Sequence, residues 1–467
     1  MSSEASPGAA RRAASRAGGH ARPTPRRSVS PPRPRIVDAC GALAGLGGGA
    51  VIAAVITGES RGSLAAPGGL LIGAGRFTGF TGAYLMLIMV MLVARLPWLE
   101  RSVGQDQLVR WHRGVSGWAL GLIAAHAVLI TLGYAQAARS GALAELWVLV
   151  RSYPDLLAAV AGLGLLGLAG LTSYRIVRRR LRYETWWVVH LYLYVALALA
   201  FAHQIVTGAS FIGHPLTRAL WIVIWAATAG MVIAFRVVQP AWRSLRHQLR
   251  VVEVRAEAPG VVSVVCAGRQ LNRLAVSGGQ FFLWRFLVRD LWWQAHPYSL
   301  SAMPRPPYLR VTIKQTGDQG RAIARLRPGT RVAIEGPYGV FTRHVGSRPG
   351  VALIGAGVGI TPLRALLEDL PGGTDVVVVV RASTAADLVH RDEVAALVRQ
   401  RGGRLHELTG PRRAVRLNAR VLHRIVPDAA ERDIYICGPD GFRSEIVAAA
   451  ARLGAAEDQI HTEAFGY

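Results

Sequence analysis

Between residues 38 and 237 the chain consists of long apolar runs separated by short polar or arginine-bearing stretches. Six runs, near 38–57, 78–96, 113–134, 155–173, 185–206 and 217–237, are predicted as helices that cross a bilayer, which takes about 20 residues at about 1.5 Å each. After Arg250 the pattern changes. VVEVRAEAPGVVSVVCAG, GGQFFLWRFL, YLRVTIKQTG and RVAIEGPYGVF alternate or are rich in β-branched and aromatic residues between Gly/Pro breaks, which predicts a small antiparallel barrel. From Gly350 it changes again. VALIGAG, DVVVVV and DIYICG are strands of the fully buried kind, with helical stretches between them, which predicts an α/β unit. The expected fold is therefore multi-domain. A basic disordered tail covers 1–36, a six-helix transmembrane bundle 37–243, an antiparallel β-barrel 244–347 and an α/β domain 348–467.

Composition sharpens this division. The mean hydropathy of +0.30 is high for a soluble protein, and the excess is confined to the first half. The formal net charge is +26, and Lys314 is the only lysine, so the positive charge is arginine. Charge alone is compatible with nucleic-acid binding. No nucleic-acid motif accompanies it and much of the arginine flanks the spans, so no nucleic-acid partner is expected. Cys40, Cys266 and Cys437 are far apart and form no CxxC, which supports neither a disulfide framework nor a zinc or iron–sulfur site.

Arginine also sets the expected orientation. The tail is basic. The loop after span two carries Arg101 and Arg110, the loop after span four Arg175, Arg178, Arg179, Arg180 and Arg182, and the stretch after span six Arg243, Arg246 and Arg250. The alternate loops carry fewer: Arg61 and Arg76, Arg139 and Arg151, then Arg218. Both termini and everything after the spans are expected in the cytoplasm, with the protein multi-pass in the cell membrane. The twin arginines of the tail lack the apolar run of an export signal.

Four histidines lie in two of the spans, His112 and His126 in the third and His190 and His203 in the fifth. Fourteen residues separate the first two and thirteen the second two, about 20 Å of helix in each case. Two such helices side by side offer a histidine pair at each of two depths. Ionisable groups inside a membrane are costly and usually functional, and neutral imidazole is a good haem ligand. Two bis-histidine haem sites are expected. Thirteen residues leave His203 about 140° around the helix from His190. Either the fifth helix is twisted or bulged, or the haems meet it on different faces.

The second half carries three further motifs. His296-Pro297-Tyr298-Ser299 places an aromatic next to a small hydroxyl, which suits a flavin ring and its polar edge. Gln280 in GGQF precedes it, and Lys314, Gly317 and Gly320 follow, just before a short helix GRAIARL whose N-terminus suits a pyrophosphate. Gly355-Ala356-Gly357-Val358-Gly359-Ile360-Thr361-Pro362 runs from strand to helix, where glycines let the backbone approach a dinucleotide phosphate. Cys437-Gly438-Pro439 ends another buried strand, where a cysteine could lie beside a nicotinamide or simply pack in the core. Arg381 and Ser383 follow the VVVVV strand without an acidic residue. That arrangement leans toward NADPH over NADH, through the ribose 2′-phosphate.

In this order the motifs of the second half resemble the ferredoxin–NADP reductase superfamily. From about residue 38 the whole chain resembles the transmembrane ferric reductase and NADPH oxidase family. The resemblance implies FAD binding by His296, Pro297, Tyr298 and Ser299, with Tyr298 on the ring and Ser299 near its reactive nitrogen. It implies nicotinamide dinucleotide binding by Gly355, Gly357, Gly359, Thr361 and Pro362. It implies that Cys437 and Glu463 line the hydride-transfer site, with Phe465 of the terminal EAFGY against the flavin. His296 stands where soluble relatives carry arginine, and the flavin-phosphate helix begins Gly320-Arg321-Ala322 where relatives often carry Ser or Thr.

The expected activity is electron transfer from cytoplasmic NAD(P)H through FAD and two b-type haems to an extracytoplasmic acceptor. Ferric iron or a ferric chelate is the first choice of acceptor and dioxygen, giving superoxide, the second. The alternative of another class is a haem or metal transporter with a regulatory nucleotide domain. His214, in the last outer loop, reads as a solvated residue. The expected partners are the acceptor and membrane lipid.

Overall fold

In a computed structural model of the chain, residues 34–181, 183–206, 211 and 214–464 are described. They divide into a helical unit built on Pro31–Arg243 and a second unit built on Ser244–Pro337 and Phe341–Tyr467. The disordered tail expected over 1–36 lies almost wholly outside the described residues.

Among the described residues, six helices are long and apolar enough to cross a membrane. They are α1 (Pro34–Gly58), α2 (Gly69–Leu92), α3 (Gln105–Ala138), α4 (Pro154–Ser173), α5 (Tyr183–Val206) and α6 (Pro215–Ile233). The last continues through a π-helical turn, Ala234–Val238, into the helix Gln239–His247. The second span starts at Gly69 rather than near 78. The expected boundary avoided Arg76, but its guanidinium is paired with Glu59 at 2.7 Å, and the helix runs through it. Helix α5 is regular from end to end, so a bulge does not bring its two histidines into line.

Apolar side chains gain little by leaving lipid for one another, so membrane helices associate through close packing of small residues. The contact of α2 with α3 shows this. A β-carbon added at Gly75, Gly79 or Gly82 would lie 2.8 Å from Ile130 Cγ1, 2.5 Å from His126 Nδ1 and 3.0 Å from Ile123 Cδ1. At Gly68, whose φ is +77°, it would lie 1.9 Å from the Gly133 carbonyl oxygen. Midway between the histidine levels, Met86, Ala119, Leu166 and Ala196 form a small buried cluster. Ala119 and Ala196 are each seven or fewer residues from a histidine on either side, so this apolar layer separates the two levels.

The second unit begins with six strands: β1 (Leu249–Ala258), β2 (Val261–Ala267), β3 (Phe281–Phe286), β4 (His296–Ser299), β5 (Tyr308–Lys314) and β6 (Arg331–Tyr338). Their order is β4-β3-β6-β1-β2-β5. An isolated bridge from Leu300 to Val311 links the two ends of that order, as a barrel requires. Side chains alternate, so that Val332, Ile334 and Tyr338 of β6 are buried between more exposed neighbours. The inward set, with Phe282, Trp284, Phe286, Leu309 and Val311, forms one core. Helix α7 (Gly317–Ala324) follows β5.

The remainder is a five-stranded parallel sheet of β7 (Gly350–Ala356), β8 (Asp375–Ala382), β9 (Arg404–Thr409), β10 (Arg432–Gly438) and β11 (Ile460–Ala464), in the order β11-β10-β7-β8-β9. Strand β8 is buried from Val376 to Ala382, as a strand covered on both faces must be. One face packs against α8 (Ile360–Asp369) and α9 (Arg391–Gln400). The other packs against the helix Ala419–Ile425 and α10 (Asp440–Arg452). The nucleotide and cysteine motifs thus lie at the carboxyl ends of adjacent strands, where open α/β sheets hold their ligands.

Candidate functional site

The histidines come together as the spacing requires. The rings of His112 and His190 have centroids 6.2 Å apart, and those of His126 and His203 6.4 Å. Two imidazoles sharing one metal, each nitrogen at about 2 Å from it, place their centroids about 6 Å apart. On α3, Nδ1–H of His112 donates to the Met89 carbonyl at 3.1 Å, and Nδ1–H of His126 donates to the Gly75 carbonyl at 2.7 Å. Both acceptors are on α2. Such bonds fix the ring and leave Nε2 as the metal-binding lone pair. Gly79 makes room for the His126 ring, and Trp186 stacks on His190 at 5.0 Å. Among the described residues no third His, Cys, Asp or Glu joins either pair. A metal held there takes its remaining ligands from a non-protein group, as haem iron does, and the donor set fits haem.

In the barrel, β4 pairs antiparallel with β3, Tyr298 opposite Phe282 and Ser299 opposite Phe281. The Trp284 indole donates to the Tyr298 carbonyl at 3.0 Å, fixing the strand. The rings of His296 and Tyr298 are stacked, with centroids 5.9 Å apart. Burial, and then Arg285, push the His296 imidazole below its ordinary range. Its Nε2 is buried without a hydrogen-bond partner among the described residues, an orphan that suits a cofactor edge. Burial pushes the Tyr298 phenol up to about 12, so it stays neutral.

The surroundings of Gln280 and of the flavin-phosphate helix differ from expectation. Gln280 is buried, and its side-chain oxygen accepts the Ser277 amide at 2.9 Å; it locks a turn. The flavin-phosphate helix starts at Gly317, not Gly320. Gly320 lies inside it, where a β-carbon would come within 2.9 Å of Gln315 Cα, and Arg321 is paired with Asp318. Lys314 is exposed at the end of β5.

At the end of β7, Gly357 has φ +56° and open space around it, so its backbone is accessible. Gly359 is pressed against β10, where a β-carbon would lie 2.4 Å from the Cys437 carbonyl oxygen. At Gly355 a β-carbon would lie 3.0 Å from Leu363 Cδ1 and 3.2 Å from Ile360 Cα. The Thr361 hydroxyl donates to the Val358 carbonyl at 2.6 Å, and Pro362 is buried in the first turn of α8. Cys437 is fully buried, in register with Gly355 on one side and Glu463 on the other. Burial, then the Glu463 charge, hold its thiol well above the ordinary range, so it is protonated and a poor nucleophile. Gly438 and Pro439 lead into α10. Phe465 lies outside the described residues.

Arg381 is not presented at the strand end. Its guanidinium is nine-tenths buried and donates to the carbonyls of Ala382, Gly410 and Val415. It clamps the loop after β9, which removes the reason for reading it as a 2′-phosphate ligand. Ser383 is exposed in the turn after β8.

One group of residues escaped the sequence. Arg310 of β5 forks onto both oxygens of Glu393 in α9, at 2.7 Å each. Arg364 of α8 reaches Glu393 at 2.9 Å and Glu368 at 2.5 Å. Glu368 also accepts from the Met303 amide at 3.0 Å and from Arg305 at 2.7 Å. Burial raises the Glu393 carboxyl, but the bonds and charge of Arg310, with Arg364 and His390, bring it down to about 2. Arg310 and Glu393, 83 residues apart, and Arg305 and Glu368, 63 apart, are too distant in sequence to signal one another.

Three family models match successive parts of the chain. Ferric reductase like transmembrane component covers residues 78–201, FAD-binding domain 248–342, and Oxidoreductase NAD-binding domain 353–447. The chain is 29% identical to an NADPH oxidoreductase of Mycobacterium tuberculosis over 48% of its own length and 62% of that protein. It is 30% identical to a flavohemoprotein of Deinococcus radiodurans over 37% of its own length and 47% of that protein. It thus spans less than two thirds of either relative. Among solved structures, the flavohem-like FAD/NAD-binding domain of a Vibrio cholerae nitric oxide dioxygenase aligns with 47% of this chain and 99% of that one. The identity is 23% and the TM-score 0.39. The chain thus joins a ferric reductase-like transmembrane component to an FAD-binding domain and an oxidoreductase NAD-binding domain.

Proposed function

We propose that the chain takes electrons from NADPH or NADH and delivers them, with FAD and two b-type haems as its cofactors, to ferric iron or a ferric chelate across the membrane. The observation that carries this reading is the pair of histidine couples, each at the separation of two imidazoles on one metal. When bound, FAD exchanges a hydride for single electrons and haem carries electrons one at a time.

The chain's own residues bind and orient. His112 with His190, and His126 with His203, would each hold one haem through their imidazole nitrogens. Tyr298 offers a neutral aromatic face to the flavin ring and Ser299 a hydroxyl at its edge. The backbone from Gly355 to Gly359 and the start of α8 receive the dinucleotide pyrophosphate. Cys437 packs as a small neutral group beside the nicotinamide, near the Glu463 carboxylate. On the arginine distribution, the domains after the spans face the cytoplasm and His112 and His190 form the inner level. The description of the matched transmembrane family supports a ferric acceptor, and the name of the Mycobacterium tuberculosis relative supports NADPH as donor.

The test uses sealed vesicles holding cofactor-loaded protein and NADPH inside, with a ferric chelate and a ferrous-iron chromophore outside. Ferrous iron is expected outside under nitrogen. Iron reduced only in air, and suppressed by removing superoxide, would contradict the ferric reading.

A further inference from the structure

We propose that Glu393 is the positioning residue that sets the nicotinamide-binding domain against the flavin-binding barrel, through a series of hydrogen bonds and ion-pair contacts that runs from the HPYS strand to the dinucleotide turn. Its kinetic consequence rests on the reductase reading above; its geometric content does not. Ser301 lies two residues beyond Ser299. Its side-chain and backbone oxygens accept from Arg310 at 3.0 and 3.1 Å. The same guanidinium forks onto Glu393, and Glu393 contacts Arg364, three residues after Thr361. Glu368 closes the circuit, because it holds Arg364 and also accepts from the barrel through the Met303 amide and Arg305.

These groups are buried to differing degrees. Side-chain exposure is 6% for Arg364, 11% for Glu368, 12% for Arg310 and 34% for Glu393. Desolvation offsets much of what such pairs contribute to net stability. A planar fork on a carboxylate instead fixes direction. Apolar contact alone would let the two domains slide. The Arg310 fork makes one angle between them preferred, and hydride transfer depends steeply on that angle. A displacement of about 1 Å at a reacting centre costs on the order of a hundredfold in rate.

The experiment uses full-length, cofactor-loaded protein and two variants. Glu393→Gln keeps the shape without the charge, and Arg310→Lys keeps the charge without the fork. Flavin reduction at saturating NADPH is expected to fall roughly tenfold or more in both, with full FAD content and NADPH affinity within about twofold of wild type. Glu393→Asp is expected to recover part of the rate. Independently of turnover, spin labels are placed on a Cys40→Ser background at Arg327→Cys and Arg399→Cys, both exposed. The label separation is expected to be narrow in the parent and broadened in Glu393→Gln. An unbroadened separation overturns the proposal whatever the rates. Wild-type protein whose flavin is not reduced by NADPH or NADH refutes the reductase reading instead, and the label separation still decides the geometry.

Discussion

His126→Ala protein is expected to reduce its flavin with NADPH at the wild-type rate and yet deliver nothing to an acceptor outside. His126 is held by the Gly75 carbonyl and faces His203 at 6.4 Å between ring centroids. Removing it breaks one level and leaves the other, whose His112 ring is anchored separately through Met89. The levels are about 20 Å apart along α3, and the Met86–Ala119–Leu166–Ala196 layer lies between them, so loss at one does not dismantle the other. His112→Ala is expected to fail earlier, with flavin still reduced but the haem that remains left oxidised. Anaerobic addition of NADPH, with flavin and haem absorbance followed separately, reads both variants. Each needs a control that it folds and keeps its remaining haem. Were the outer haem still reduced normally in His112→Ala while His126→Ala blocked the inner one, the assigned order and the orientation of the chain would both be wrong.

The second large effect is expected from Gly359→Ala. Here the added methyl meets only backbone: the Cys437 carbonyl oxygen at 2.4 Å, its carbon at 2.7 Å and the Gly438 nitrogen at 3.0 Å. These atoms belong to a strand paired on both sides and do not yield. The turn must shift instead, carrying Gly357 and the start of α8 with it. Overpacking of this kind costs about 1–3 kcal/mol, and at least tenfold in dinucleotide affinity follows if about 1.4 kcal/mol of it falls on the bound state. Gly357→Ala meets nothing within 4 Å and is strained only by its φ of +56°, a cost of about 1–2 kcal/mol. Dinucleotide titration with a check of FAD and haem content separates the two. Equal affinity in Gly359→Ala and wild type would show that the turn is not where the dinucleotide binds.

The sequence made the histidine couples legible, because helical rise is fixed and four ionisable residues in apolar runs are conspicuous. The strand-rich and α/β halves were equally plain, since period-two alternation and fully apolar strands survive without knowledge of tertiary contacts. What it hid was the use of polar side chains. Arg381 looked like a phosphate ligand because it follows a buried strand, yet its partners are carbonyls of Gly410 and Val415 in another loop. Gln280 looked like a cofactor contact and serves Ser277. The Arg310–Glu393 fork joins residues that no local pattern connects. The start of α2 was missed for the same reason, because Arg76 is neutralised by Glu59 from the preceding turn.

The most direct measurement is the haem content and spectrum of purified full-length protein supplied with excess haem. Two couples whose His112 and His126 rings are held by backbone carbonyls, with no third His, Cys, Asp or Glu at either among the described residues, are expected to give a low-spin b-type spectrum with about two haems per chain. A chain that retains one haem or none after saturation, or binds it in a high-spin form with an open position, would contradict the assignment of the four histidines as two axial pairs.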